Sequence, residues 1–254
     1  DMLPNPPPAL VERAERWASA RAEAHIIPGW SRYDWVADNM IVLPNSPSRS
    51  DFIAAKRMAR SRSDGVFVLY ANGWIGEPRG APIFLELMRE LETSGLSFLM
   101  RIIGRGEGDA FARLTARPDV YFTEEVPQVE ALAAYAEADV VLTFYDPAIA
   151  INRCAESNKW GDCVYFGVPF IVNREVSTAE RFVSAGAAFS VPYDDVHALA
   201  ELVRSLRREP EALAVAARKL DDFGKDYMPF DESLEKIMAD TSFLTRDACD
   251  CPQS

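Results

Sequence analysis

Histidine is nearly absent. His25 and His197 are the two in 254 residues, too few and too far apart in sequence to suggest a zinc site. Cysteine is also scarce: Cys154 and Cys163 sit mid-chain and Cys249 and Cys251 in a polar tail, which is no disulfide framework for a chain of this size. Long apolar runs are missing, as is a basic-then-apolar secretory start, so no transmembrane segment is expected and the compartment is read as reducing and cytoplasmic. Positive charge is in deficit, 27 basic against 39 acidic side chains, and a net charge of -12 disfavours nucleic acid and anionic membranes as partners. The phosphate-loop pattern GxxxxGK[ST] and the hydrolase pattern GxSxG do not occur, and Gly104 to Gly108 (GRGEG) lacks the GxGxxG of dinucleotide enzymes. No carboxylate cluster calls for a metal; Asp194-Asp195 and Asp221-Asp222 read as solvated pairs, and no cofactor is implied. The start, Asp1-Met2-Leu3-Pro4, is unlike an initiation site and is read as a fragment or cut chain.

What is present is a rhythm. Strand-like runs at Val66 to Tyr70, Phe98 to Ile103, Val120 to Phe122, Val140 to Phe144, Phe170 to Val172 and Ala188 to Val191 alternate with helical spacing at Pro82 to Thr93, Ala110 to Thr115, Pro127 to Ala138 and Thr178 to Ala185. That alternation specifies an α/β fold, a Rossmann-like, mostly parallel sheet with helices on both faces. Ahead of it, Ala9 to Ala24 reads as a helix and Met40 to Leu43 as a strand, while Ser48 to Arg62 reads as a polar loop with a partial helix. Asn72 to Gly80 and Gly104 to Gly108 read as loops. The expected division is residues 1–45 as the end of one unit and a linker, 46–225 as the main domain, and 226–254 as a last helix and tail.

Polar chemistry concentrates in Asn152 to Asn173. Asn158 and Lys159 open a short helix that ends at Gly167-Val168-Pro169. Free backbone N–H groups there, with a mobile lysine charge, suit a phosphate or diphosphate. Asp162 falls on the same helical face, where a carboxylate accepts from sugar hydroxyls. The plainer alternative is an intrahelical Lys159–Asp162 pair with Asn158 as the cap. Arg79 precedes a helix on the same rim and would join Lys159 in neutralising a leaving diphosphate; otherwise it is a solvent arginine beside a turn. Glu124 and Glu125 either touch a base or ribose or merely favour a helix start. Trp74 packs either over a ligand or over Tyr70, core packing being the expectation.

Taken in order, these pieces resemble a known family. Leu43-Pro44-Asn45 is similar to the interdomain IPNG turn of GT-B glycosyltransferases, Tyr70 to Gly80 to their first donor-domain loop, and Ile103 to Gly106 to their GxG loop. Tyr135 to Val140 matches Y-x-x-A-D-V, and Ser157 to Val172 matches x-N-K-x-x-E-x-x-x-x-G-x-P-x-I, with roughly residues 40–223 covered. The resemblance, closest to the retaining, family 4-like group, implies the donor-binding, C-terminal half of a GT-B architecture. Its substrate is then a nucleotide-diphosphate sugar. Lys159 and Arg79 would hold the diphosphate, with Asn158 beside Lys159 at the helix N-terminus, Asp162 the ribose hydroxyls, the backbone around Thr123 to Val126, which includes Glu125, the base, and Gly73, Gly104 and Gly106 would give the nucleotide room. The first glutamate of the family's Glu-x7-Glu motif falls on Cys154, and Glu156 takes its catalytic place if the loop shifts. An unidentified acceptor is implied. Most of the family's N-terminal domain has no counterpart, so a missing domain or second subunit is expected and the isolated chain is incomplete as an enzyme. Alternatives are a noncatalytic nucleotide-sugar-binding domain or a partner subunit.

Overall fold

The computed structural model describes residues 8–60 and 65–240. The tail expected at Cys249 to Ser254 lies outside them. The chain opens with helix α1 (Pro8–Ser19), strand β1 (His25–Ile27), a 3₁₀ turn at Trp30–Arg32, strand β2 (Met40–Val42) and helix α2 (Arg49–Met58). Then follow β3 (Phe67–Ile75), α3 (Ala81–Glu92), β4 (Phe98–Gly106), α4 (Asp109–Thr115), β5 (Val120–Thr123), α5 (Gln128–Ala133), β6 (Val140–Thr143) and α6 (Asn158–Phe166). The last elements are β7 (Phe170–Asn173), α7 (Glu180–Ser184), β8 (Ala188–Val191), α8 (Val196–Arg208), α9 (Pro210–Leu220) and α10 (Phe230–Asp240). None of the described helices is long and apolar enough to cross a membrane.

The main sheet has six strands in the order β5-β4-β3-β6-β7-β8, every pairing parallel. The chain winds outward one way from β3, returns to β6 and winds outward the other way, so the order reverses between β3 and β6. Successive strand residues point to opposite faces and both are buried. Leu69, Ala71, Leu142 and Ile171 join α3 and α8 in one core. Tyr70, Val141, Phe170 and Val172 join α5, α6 and α7 in the other, where Trp160 of α6 stacks on Phe170 at 5.8 Å. The Rossmann-like parallel sheet is as the alternation implies.

Local assignments differ in three places. The stretches read as loops at Asn72 and Gly104 are strand: β3 and β4 continue in register, Gly73 against Gly104 and Ile75 against Gly106. The reason is contact between main chains. A Cβ at Gly104, where φ is +141°, would stand 2.0 Å from the Gly73 carbonyl oxygen, so glycine here permits pairing. Second, α2 is a full helix. Ser48 caps it by accepting from the Asp51 N–H at 3.1 Å, and Ala55 is buried against the sheet's second core. Third, β1 and β2 form a separate two-stranded parallel sheet, and α1 stops at Ser19, with Leu10, Val11 and Trp17 exposed.

The turn after β2 docks on α6. Asn45 donates from Nδ2 to the Glu156 carbonyl at 3.0 Å, and a Cβ on Gly161 would lie 2.2 Å from the Asn45 carbonyl oxygen. Only a bare helix backbone admits this approach.

Candidate functional site

In open parallel sheets a ligand sits outside the carboxyl ends of the strands where the order reverses. Here those ends belong to β3 and β6, and two cavities open there, of ≈ 360 Å³ and ≈ 390 Å³. Gly73, Trp74, Asn158 and Lys159 border both.

Helix α6 presents Lys159 to this junction. Ser157, not Asn158, is the cap: its hydroxyl accepts from the Lys159 N–H at 3.3 Å and from the Tyr145 hydroxyl at 2.6 Å. Asn158 is then the first helical residue and exposed. No ion pair joins Lys159 to Asp162, and among the described residues the half-buried Lys159 ammonium has neither an ion pair nor a hydrogen bond. A Cβ on Gly73, whose φ is +88°, would come within 3.6 Å of Lys159 Nζ, so glycine leaves the ammonium clear space.

The first cavity is cationic. Arg79 lies on a 3₁₀ turn after β3, its guanidinium 4.5 Å from the Tyr145 ring centroid, and lines the cavity with Lys159. Arg32 reaches the same wall from the 3₁₀ turn between β1 and β2. Against these three stands one carboxylate, Glu156, which burial raises above its ordinary value while Arg181 and Arg32 pull it back. Cys154 does not line the cavity. The order Asn45–Glu156–Gly29 explains why Glu156 does: its carbonyl is held by Asn45 and its carboxyl packs where a Cβ on Gly29 would stand.

The second cavity is bordered by Gly104, Arg105, Glu125, Val126, Gln128 and Asp162. Arg105 and Glu125 pair at 3.4 Å on its exposed rim. Asp162 forms its inner wall, 4% exposed, accepting from the Tyr135 hydroxyl at 3.0 Å. Burial pushes its carboxyl up to about 7, against the Tyr135 hydrogen bond and the Lys159 charge, both of which favour the carboxylate.

Arg79 and Glu156 are therefore brought together in the first cavity, Glu125, Gly104 and Asp162 in the second, and Lys159, Gly73 and Asn158 border both. Gly106 borders neither. Its missing Cβ makes way for the Ile75 carbonyl and the Phe111 ring. Trp74 is not a core residue: it shares a strand face with Tyr70 but lies beyond the two residues, Leu69 and Tyr70, at which β6 pairs with β3, and is 36% exposed, over Gly76 and beside both cavities, while Tyr70 packs on Tyr135. Sequence reasoning missed Tyr145, Tyr135 and Arg32. Tyr135 opens the Y-x-x-A-D-V pattern; nothing local marks Arg32.

Three-dimensional comparison finds this architecture elsewhere. Anabaena Alr3699/HepE in complex with UDP and glucose superposes with a TM-score of 0.65 at 13% identity, over 91% of this chain and 66% of that one. A glycosyltransferase from Rickettsia africae ESF-5 gives 0.64 at 10% identity, over 97% and 69%. The C-terminal domain of a glycosyl transferase group 1 family protein (LpcC) from Francisella tularensis gives 0.52 at 11%, over 72% of this chain and 94% of that domain. The fold is a Rossmann-like GT-B C-terminal domain. No sequence-family profile and no curated protein sequence matches the chain. The chain spans about two thirds of the HepE chain and nearly all of the LpcC domain.

Proposed function

We propose that the paired cavities bind a nucleotide-diphosphate sugar and that this chain supplies the donor half of a glycosyltransferase of the retaining, family 4-like kind. One observation carries the reading: a half-buried ammonium without a protein partner, Lys159, stands at the sheet's reversal point between a cationic cavity and one walled by a carboxylate. The first cavity takes the diphosphate and sugar, the second the nucleoside. Complexes of the Anabaena protein with UDP and with UDP-glucose support that class of ligand.

In the proposed reaction the acceptor oxygen bonds the anomeric carbon while the bond from that carbon to the diphosphate oxygen breaks, its electron pair leaving with the diphosphate. Lys159 and Arg79 neutralise the charge that gathers there, an effect larger in a partly dry cleft than in water. The acceptor's proton passes to the departing phosphate on the same face, which retains configuration. Glu156 faces the sugar and holds its hydroxyls; Asp162 accepts from the ribose. The remaining third of the fold comes from a preceding domain or a second subunit, and residues 1–45, 46–225 and 226–254 are the end of that N-terminal domain with its linker, the donor domain, and the C-terminal helix and tail.

Calorimetric titration of the chain with UDP and GDP is the test. Lys159→Ala is expected to weaken binding by about tenfold to a hundredfold, the loss of a hydrogen bond to a charged group. Equal affinity in both forms removes the basis of the proposal. A noncatalytic nucleotide-sugar-binding domain is the second reading, favoured by Cys154 at the motif's first glutamate position; absence of transfer across a donor panel by the longer polypeptide would decide for it.

A further inference from the structure

A third cavity, of ≈ 540 Å³, adjoins the first across Glu156, which borders both. It opens at the carboxyl ends of β1 and β2 and faces the turn between β7 and α7. One wall is apolar, from Pro28, Trp30, Val42 and Pro44. Trp30 is 46% exposed and its ring meets no other aromatic ring among the described residues, so a flat face is open to a ligand. The opposite wall is polar and fixed. Arg181 donates to the Tyr227 hydroxyl at 2.7 Å with its guanidinium 5.0 Å from the Phe182 ring centroid, which orients its remaining N–H groups. Ser177 donates to the Arg153 carbonyl at 3.0 Å and Thr178 to that of Ala155, so both hydroxyl oxygens keep lone pairs for a donor.

Charge selects the ligand class. The first cavity sets three cations against one carboxylate, whereas the third sets Glu156 and Asp226 against Arg181 alone. An anion is disfavoured there. A ligand with one apolar face and a ring of hydroxyl groups suits both walls, since carboxylates accept from hydroxyls and the negative face of an indole attracts polarised C–H groups.

We propose that this third cavity seats the acceptor, a neutral saccharide lying on Trp30 with one hydroxyl directed past Glu156 toward the first cavity. The assignment rests on the donor reading of the first two cavities and adds the acceptor's chemical class and place. It is tested on the full chain labelled with 5-fluorotryptophan, the Trp30 resonance being identified by its loss in Trp30→Phe. The ligands are methyl glucoside, methyl galactoside, maltose and cellobiose, each added with and without UDP.

A saccharide is expected to shift the Trp30 resonance; Asp226→Asn should weaken that saccharide severalfold to about tenfold in the same titration and Trp30→Ala likewise by calorimetry, both leaving UDP affinity unchanged. Both side chains are exposed enough for the variants to fold. Failure of all four saccharides to move Trp30, or binding that neither substitution weakens, overturns the assignment. Failure of UDP to bind while a saccharide still moves Trp30 overturns the donor reading and keeps a saccharide site at Trp30.

Discussion

The first and second cavities meet at Lys159 and are otherwise built on opposite plans. The first gathers cations at its rim: Arg32, Arg79 and Lys159, with Arg79 resting on Tyr145. The second has its charges already satisfied, Arg105 by Glu125 and Asp162 by Tyr135. In a chain of net charge -12 an unpaired cation cluster is the part of the surface most attractive to an anion, while a buried, hydrogen-bonded carboxyl reads hydroxyls and not charge. The lesson is a division of labour along one ligand, phosphates on one side of Lys159 and nucleoside on the other.

Pyrophosphate and uridine, each half of such a ligand, separate the two plans. The largest effect after Lys159→Ala is expected from Arg79→Ala: about tenfold weaker binding of UDP and pyrophosphate, and none on uridine, measured by calorimetry. A matching loss for uridine would break the comparison. Asp162→Asn should do the converse, weakening uridine and UDP severalfold and sparing pyrophosphate.

Acidity sharpens the contrast. When folded, Asp162 holds its proton up to about pH 7, whereas in the unfolded chain it releases it near 4. Its contribution to stability is therefore fully present below about pH 4 and lost as pH rises through about 7. Binding runs the other way, because the carboxylate is the acceptor. Affinity for UDP-glucose, whose diphosphate has no proton to lose in this range, should rise between pH 6 and 8, as expected for one group titrating near about 7, and Asp162→Asn should remove that step from both thermal melting and binding. A smaller change is expected from Tyr135→Phe. It removes one hydrogen bond to the carboxylate, so the midpoint of the pH dependence moves upward while pyrophosphate binding stays as it was. Gly161→Ala touches neither cavity directly; crowding Asn45 should cost about 1–3 kcal/mol, read as a lowered melting temperature.

Much of this was legible in the sequence because βα alternation is local and repeated. Lys159 and Asp162 were visible for the same reason: a short helix opening after a strand declares its N-terminus. The misreadings share a cause in long-range contact. Gly73 and Gly104 look like loop residues until each is seen to clear the other's backbone, and α2 looks like a polar loop until Ala55 is seen packed below it. Arg32 comes from a segment assigned to another unit, so no spacing could bring it to Arg79. Trp74 shares the strand face of Tyr70, and only the pairing shows that β6 no longer flanks β3 where Trp74 stands.

The bare backbone at Gly161 has a mechanical corollary. With the carbonyl of Asn45 seated against it and the side-chain amide of Asn45 donating to the Glu156 carbonyl, the polypeptide arriving from β2 is fastened at two points to the segment bearing Lys159. Loss of either contact would release the arm arriving from β2 from the helix that carries the ammonium.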